Sequence, residues 1–425
     1  MAEAKQKLSH AKTRRREEEK GNGLSCPLSG WVTSALGDIL ALNYGWSLSA
    51  SKRVSGSVPV YGSNGIVDYH NEALVNSAGI IVGRKGSAGN VHFSKIPFCP
   101  IDTTFYVSPS DTNVDLEFLF YLLKFVDLKR IVGDVGVPGL NREMAYLERV
   151  IYPADKREQR SIATILGQVQ KAIEEQEKLL SLTAELKRTL LHQLFTQGLR
   201  NEPQKQTDIG PIPKSWEVVQ LGEVINLFAG YAFKSTDGVS ESNTQLLRMG
   251  NLYQNTLELD RSPIFYPDVF ADAHKRFVLK EGDLVMSLTG TSGKEDYGFT
   301  VRIPKTDKTL LLNQRVARID ITDNRLQKDF AHYFLLSRKF LDHLFLSAKG
   351  MKQANLSTNA MKKLKVVLPC EAEQQEIATC FKSVDQKVVV VGRKVAALQD
   401  LFRTLLHELM TAKTRVVAIA LQHTN

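Results

Sequence analysis

The sequence predicts an α+β chain written twice, with two mixed α/β domains each followed by one long helix. Three observations predict it. A nonapeptide recurs almost unchanged, RTLLHQLFT (Arg188 to Thr196) and RTLLHELMT (Arg403 to Thr411), 215 positions apart. A second phrase, W-x-x-x-x-L-G-[DE]-[IV], begins at Trp31 and again at Trp216, 185 positions apart. Between each phrase and its helix lie short apolar runs separated by Gly, Asn and Asp turns, the pattern of strands.

Taken in order, residues 1–26 form a basic leader containing KTRRREEEK, expected to be a disordered arm or a start-site artefact. The first domain is expected over 27–156. GIIVG and TTFYV read as its strands, LEFLFYLLKFVDLKRIV from Leu116 as a helix, and VIYP, ending at Pro153, as its closing strand. A long helix follows over 157–199, then a Pro-rich linker over 200–213. The second domain, 214–370, repeats the frame with GDLVMSL and LNQRVARIDI as strands, a helix in KDFAHYFLLSRKFLDHLFL from Lys328, and VVLP as closing strand. A second long helix spans 371–413, and 414–425 is a tail.

The two long helices share one register. Apolar residues recur at alternating steps of four and three, at Ile162, Leu166, Val169, Ile173, Leu190 and Leu194, and again at Ile377, Phe381, Val384, Val388, Leu405 and Leu409. This is a heptad seam. A helix from about Arg160 to Gln197 is on the order of 55 Å long and cannot bury its seam alone. Its obvious partner is its twin. Gln176, Thr183 and Lys187 occupy seam positions in the first helix. They either set the register of the pair, as polar core residues do, or mark a solvated middle.

Composition bounds the function. With 425 residues the chain exceeds one ordinary core, and 43% hydrophobic with 24% charged residues is a soluble globular balance. A net charge of +9 and a pI near 9.2 favour anionic partners such as nucleic acid. There is no run of 18 apolar residues and no apolar leader core, so a cytoplasmic location without membrane contact is expected. The cysteines, Cys26, Cys99, Cys370 and Cys380, form no C-x-x-C pair, and are expected as isolated buried thiols with no metal site.

Each domain carries a strand followed by a glycine turn, GRKGSAGN (Gly83 to Asn90) and TGTSGK (Thr289 to Lys294). Arg84, Lys85, Ser87 and Asn90 in the first, and Thr289, Thr291, Ser292 and Lys294 in the second, are candidate DNA contacts, because Gly-rich backbone with Arg, Lys and hydroxyls suits phosphates and base edges. The glycines themselves suit a hairpin turn needing positive φ. A second polar loop precedes each closing strand. Lys349, Lys352, Gln353 and Asn355 of the second domain combine charge with amides able to read adenine. GTSGKED is no phosphate-binding loop, since Glu295 stands where a hydroxyl is required. No catalytic residue is assigned. There is no H-E-x-x-H, G-x-S-x-G or dinucleotide fingerprint, Ser49 with Lys52 is a chance-level S-x-x-K, and His192 and His407 lie off the seam without a spaced partner.

IPKSWEVVQLGEV, LNQRVARI, ANLSTNAMKKLKVVLPCEAEQQEIA and the paired REQRSIA and EQQEIA helix starts together resemble the specificity subunits of type I restriction-modification systems. The resemblance runs from about residue 27 to 412; the basic leader precedes the usual start of such a subunit. It implies two target recognition domains, each reading half of a split sequence in double-stranded DNA. It also implies that the long helices pair as an antiparallel coiled coil, with the two halves related by a pseudo-two-fold, acting as spacer and as docking surface for modification (methyltransferase) subunits, two in number. Restriction/translocase subunits complete the assembly. No cofactor is expected on this chain; S-adenosylmethionine, ATP and Mg belong to the partner subunits. Such a layout matches half-sites about one helical turn, roughly 34 Å, apart or farther. A standalone DNA-modifying or DNA-cleaving enzyme on the same duplicated fold is the alternative, and a scaffold that binds no DNA a third.

Overall fold

The structure, a computed structural model, describes residues 29–132, 139–291, 294–347 and 354–416. The leader therefore lies outside the described residues, as does most of the tail. The chain divides into two compact units: residues up to Gln176 together with those from Arg393 onward, and Glu177–Gly392.

In the first unit β1 (Trp31–Ala35), β2 (Asn43–Tyr44), β3 (Val58–Gly62), β4 (Gly65–His70), β5 (Gly79–Gly83), β6 (Val91–Ser94), β7 (Cys99–Pro100) and β8 (Thr104–Val107) precede α1 (Leu116–Val126), α2 (Arg142–Tyr146) and β9 (Arg149–Pro153). One sheet has the order β2-β8-β5-β6, a second β4-β3-β7, and β1 pairs with β9. The apolar run of β5 is buried throughout because it is an inner strand of its sheet, with α1 over one face. The Asp115 carboxylate starts α1 by accepting from Phe118 N–H at 3.1 Å. Phe118, Leu119, Leu122 and Leu123 then pack on Ile80, Val82, Phe105 and Val107.

The long helix α3 (Lys156–Gln197) is followed in the second unit by β10 (Gln204–Thr207), β11 (Gly210–Pro213), β12 (Glu217–Gln220), α4 (Leu221–Val224), β13 (Ile225–Ala229), β14 (Thr244–Leu247), β15 (Phe265–Tyr266) and α5 (Val269–Ala273). Then come β16 (Leu284–Ser287), β17 (Thr289–Gly290), β18 (Thr300–Arg302), β19 (Thr309–Leu312), β20 (Val316–Ile321), α6 (Lys328–Leu336), α7 (Arg338–Ser347), β21 (Ala354–Asn355), α8 (Thr358–Lys362) and β22 (Lys365–Leu368). The last element is the long helix α9 (Glu371–Met410). The sheets repeat the first unit's plan: β13-β20-β16-β18 beside β15-β14-β19, with β12 paired to β22.

The repeated phrases now have physical reasons. Trp31 pairs across the strand ladder with Pro153, so the domain's opening residue is fastened to its closing one, and Glu217 pairs with Leu368 in the same manner. The Trp216 indole N–H donates to the Glu373 carboxylate at 2.9 Å, and that of Trp31 to Glu158 at 3.3 Å. The adjacent glutamines are buried staples. Gln159 donates to Pro153 O and accepts from Asp115 N–H; Gln374 donates to Pro369 O and accepts from Gln327 N–H. Each therefore ties the closing strand to the residue that caps the domain helix.

Within each unit the start of one long helix meets the end of the other. In the first unit Arg415 pairs with Glu158, and Leu409 and Met410 join Ile162 and Leu166 in the core. In the second, Leu199 N–H donates to Glu373, and Phe195 stacks on Phe381 at 5.8 Å. Every seam position named above is buried or half-buried. Of the polar seam residues, Thr183 is buried with its hydroxyl on Leu179 O, and the Lys187 ammonium binds Asp385 at 2.5 Å. Asp385 also accepts from the Tyr333 hydroxyl at 2.9 Å. Lys187 is thus partnered across the two helices and is not part of a solvated stretch.

Four expectations need correction. Residues 200–213 are not a plain linker: Gln204–Thr207 and Gly210–Pro213 form an antiparallel hairpin, whose Ile212 is buried beside Trp216. The helix from Lys328 is two helices, because Ser337 is extended and its hydroxyl accepts from Phe340 N–H, starting α7 afresh. LNQRVARIDI is no single strand, since Asn313 to Arg315 turn the chain between β19 and β20. Among the described cysteines only Cys99 is buried; Cys370 is exposed and Cys380 half-buried.

Candidate nucleic-acid interface

Strand order decides which loops meet. In the first unit the glycine turn leaves β5 and folds against the start of β8: the N–H groups of Arg84 and Lys85 both donate to Thr103 O, at 2.9 and 3.1 Å. Leu140, just before the closing segment, donates its N–H to Arg84 O at 2.9 Å, and Lys85 bridges to Gly139. The second unit repeats this: Leu288 N–H donates to Arg315 O, Leu356 N–H donates to Leu288 O, and β17 pairs with β21. So in each unit the glycine turn and the polar loop before the closing strand are neighbours.

The glycine turns differ in detail. Gly86 and Gly89 adopt φ of 72° and 81°, and a Cβ on Gly89 would sit 2.6 Å from Lys129 N, so that turn needs glycine for both reasons. Gly290 has no such φ; a Cβ there would meet Asp296 Oδ1 at 2.3 Å. Asp296 accepts from Thr291 N–H at 2.6 Å and shapes the second turn.

Of the first-unit candidates, Lys85 and Ser87 are exposed, while Arg84 and Asn90 are half-buried. The Arg84 guanidinium lies over the Tyr44 ring at 5.1 Å, and Arg142, at the first turn of α2, lies over the same ring at 5.2 Å. Tyr44 is 53% exposed. Among the described residues Arg84 has no carboxylate partner, so its charge is held in place by a ring and remains available to an anion. Arg142 reaches Glu143 at 3.3 Å.

In the second unit Thr291 and Lys294 are exposed, whereas Thr289 turns its hydroxyl to Met249 Sδ at 2.9 Å and is half-committed to the fold. Glu295, excluded above as a phosphate-loop residue, is bound to Arg338 at 2.7 Å; that hydrogen bond holds its carboxyl below the usual range. Ser292, Lys349, Lys352 and Gln353 lie outside the described residues, and Asn355 is placed by its backbone alone, in β21.

Several residues of this surface escaped the sequence reading: Tyr44, Arg142, Trp46, Tyr231, Gln314 and Arg315. Gln314 N–H donates to Tyr231 O at 3.0 Å, and both Gln314 and Arg315 are exposed beside the second glycine turn. A signal for two of them was present. The shift of 185 that aligns Trp31 with Trp216 also aligns Gly45-Trp46 with Gly230-Tyr231. His192 and His407 are exposed, with His407 near Lys413 Nζ at 3.2 Å. Among the described residues no group of three or more His, Cys, Asp or Glu side chains is placed to hold a metal ion. No described helix is long and apolar enough to cross a membrane.

Comparison with known proteins identifies the family of this duplicated chain. The model of the type I restriction modification DNA specificity domain matches twice, at residues 28–184 and 213–397. The chain belongs to that family. It is 27% identical over 358 residues to the type I restriction enzyme MjaVIII specificity subunit of Methanocaldococcus jannaschii, covering 82% of this chain and 81% of that one. Its fold is that of the type I restriction-modification S subunit from M. genitalium, at a TM-score of 0.61 and 16% identity over 91% of this chain and 97% of the other. A chain from a study of complex assembly and conformational transition in the type I system matches at 0.52 and 14% identity, covering 91% and 99%. The specificity family's DNA-recognition role is therefore this chain's role, and the two matched regions are the internal duplication.

Proposed function

We propose that each unit reads one half of a bipartite target in double-stranded DNA through its glycine turn and the loops that converge on it. The observation that carries the reading is the repeated meeting of those loops, joined by the same Leu N–H bond, Leu140 to Arg84 O and Leu356 to Leu288 O. Arg84, Lys85, Ser87 and Asn90 serve one half-site; Thr291, Lys294 and their neighbours serve the other. The uncompensated Arg84 supplies phosphate or guanine contact, and the Gln314 amide has the donor and acceptor that adenine requires.

The long helices pair as an antiparallel coiled coil that spaces the half-sites and docks two modification subunits, with restriction/translocase subunits joining that assembly. The buried seam and the Lys187–Asp385 pair support this arrangement. The chain itself is non-catalytic. S-adenosylmethionine, ATP and Mg act on the partner chains. The test is expression of this chain with its modification subunits, followed by long-read mapping of methylated adenines. A split motif with a fixed spacer is expected; methylation without one, or none, refutes the proposal.

A further inference from the structure

Trp46 and Tyr231 are the same residue of the repeated unit, and both are large aromatics left in solvent, 41% and 44% exposed. A single exposed aromatic needs no explanation. The same exposure at the equivalent position of two domains whose other loops have diverged does.

The backbone beneath each ring is locked. A Cβ on Gly45 would sit 2.1 Å from Ile101 O, and one on Gly230 would sit 2.3 Å from Asn313 O, so the chain is pressed against its neighbour where only glycine fits. Trp46 N–H donates to Pro100 O at 2.7 Å and Tyr231 N–H to Leu312 O at 3.0 Å, each within a parallel bridge. Both rings therefore leave rigid points, which lowers the ordering cost of any contact they make.

Neither polar tip serves the fold. Trp31 and Trp216 are buried and spend their indole N–H on Glu158 and Glu373, while the Trp46 indole N–H has no hydrogen-bond partner among the described residues and its ring lies 6.2 Å from that of His70. Tyr231 is backed by His274 at 4.8 Å and Phe277 at 5.4 Å, and its hydroxyl has no partner among the described residues. Cations stand alongside. Tyr44, carrying Arg84 and Arg142, is two residues before Trp46, and Arg315 follows the Gln314 that binds Tyr231 O.

We infer that Trp46 and Tyr231 are twin aromatic anchors, one per half-site, that stack on bases or sugars of duplex DNA and contribute affinity largely independent of sequence. The inference rests on the DNA-reading proposal above. A rigid aromatic flanked by cations is how a protein seats a wedge at a base step while phosphate contacts position it. A stacked aromatic carries no charge and so releases no counterions, which separates it from a phosphate contact.

The test uses the full chain bound to its modification subunits and a 40-base-pair duplex carrying the methylation-mapped target. Because Trp46 is the one exposed tryptophan of this chain's three, the difference in acrylamide quenching between wild-type and Trp46→Phe assemblies reports on it. The target duplex is expected to shield it. Trp46→Ala and Tyr231→Ala are each expected to weaken binding by about 5- to 100-fold with an unchanged salt slope and the cooperative melt retained, and Trp46→Phe to retain most of the affinity. If the wild type shows no preference for its target, the DNA-reading proposal fails and this inference with it. If the wild type is selective but Trp46 stays quenchable and both alanine variants bind within twofold, this inference alone is overturned. Loss of modification-subunit binding with DNA affinity intact overturns it in favour of a protein contact.

Discussion

Glu373 and Glu158 are equivalent carboxylates under equivalent tryptophans, yet replacing them should not cost the same. Glu373 is 1% exposed and accepts twice, from Trp216 Nε1 at 2.9 Å and from Leu199 N–H at 3.0 Å. Glu373→Ala leaves the buried Trp216 indole N–H and the part-buried Leu199 N–H without their acceptor. A stranded buried donor costs about 1–3 kcal/mol, so the indole with the part-buried Leu199 N–H together should cost about 3 kcal/mol. In a unit of about 200 residues, 1 kcal/mol moves the melting temperature by about 2–4 °C, which gives a fall of about 6–12 °C for the second unit. Glu158 makes a longer indole bond, at 3.3 Å, and its other partner, Arg415, is partly solvated. Glu158→Ala should therefore cost about 1 kcal/mol, or about 2–4 °C, in the first unit. Differential scanning calorimetry of both variants tests this. A loss under 1 kcal/mol in Glu373→Ala, or one no larger than in Glu158→Ala, would show that the Trp–Glu bond is not what secures the helix start.

Other expectations follow from single groups. Burial, reinforced by the Arg302 and Lys187 cations, pushes the His332 pKa from 6.5 down to about 4, and its Nδ1 is buried without a partner. The folded state thus resists protonation. Its contribution is complete above pH 6.5 and lost as pH falls through about 4, and urea midpoints of His332→Leu should decline less than wild type between pH 7 and 4. Burial also pushes Tyr121 up from 10 to about 12, so stability should fall as pH rises from 10 to 12, and Tyr121→Phe should flatten alkaline melting curves. Arg84→Ala is expected to weaken recognition of one half-site about tenfold and Lys294→Ala the other, read as separate changes in motif stringency by methylation mapping. Equal effects on both half-sites would refute the assignment of one unit to each. Lys187→Met should be nearly neutral in urea melts, whereas Asp385→Ala, which strands both Lys187 and the Tyr333 hydroxyl, should cost about 2 kcal/mol or more.

The duplication was legible because its markers are local in sequence and repeat at fixed shifts. The W phrase, the EQ pair and the 4-3 apolar steps each occupy one stretch of chain. What they do was not legible, since Gln159 reaches Asp115 and Gln374 reaches Gln327 across 44 and 47 positions. The 200–213 segment read as a linker because its prolines argue against interior strands; in a two-stranded hairpin such positions lose no ladder bond. Ser337 broke a helix that apolar periodicity carried straight through, its hydroxyl capping the second half. The interface was half visible. Glycine turns announce themselves, but the Arg84–Tyr44–Arg142 stack joins three separate segments, and no spacing rule connects positions 44, 84 and 142.

The long helices also order the chain's assembly in time. The second unit is continuous, Glu177–Gly392, and a nascent chain holds everything it needs once residue 392 has left the ribosome. The first unit is not. Its core includes Leu409 and Met410, and Arg415 closes on Glu158 and Ser29, so the domain synthesised first is the one completed last. A product terminated after the second unit would carry one complete unit and one with an open core.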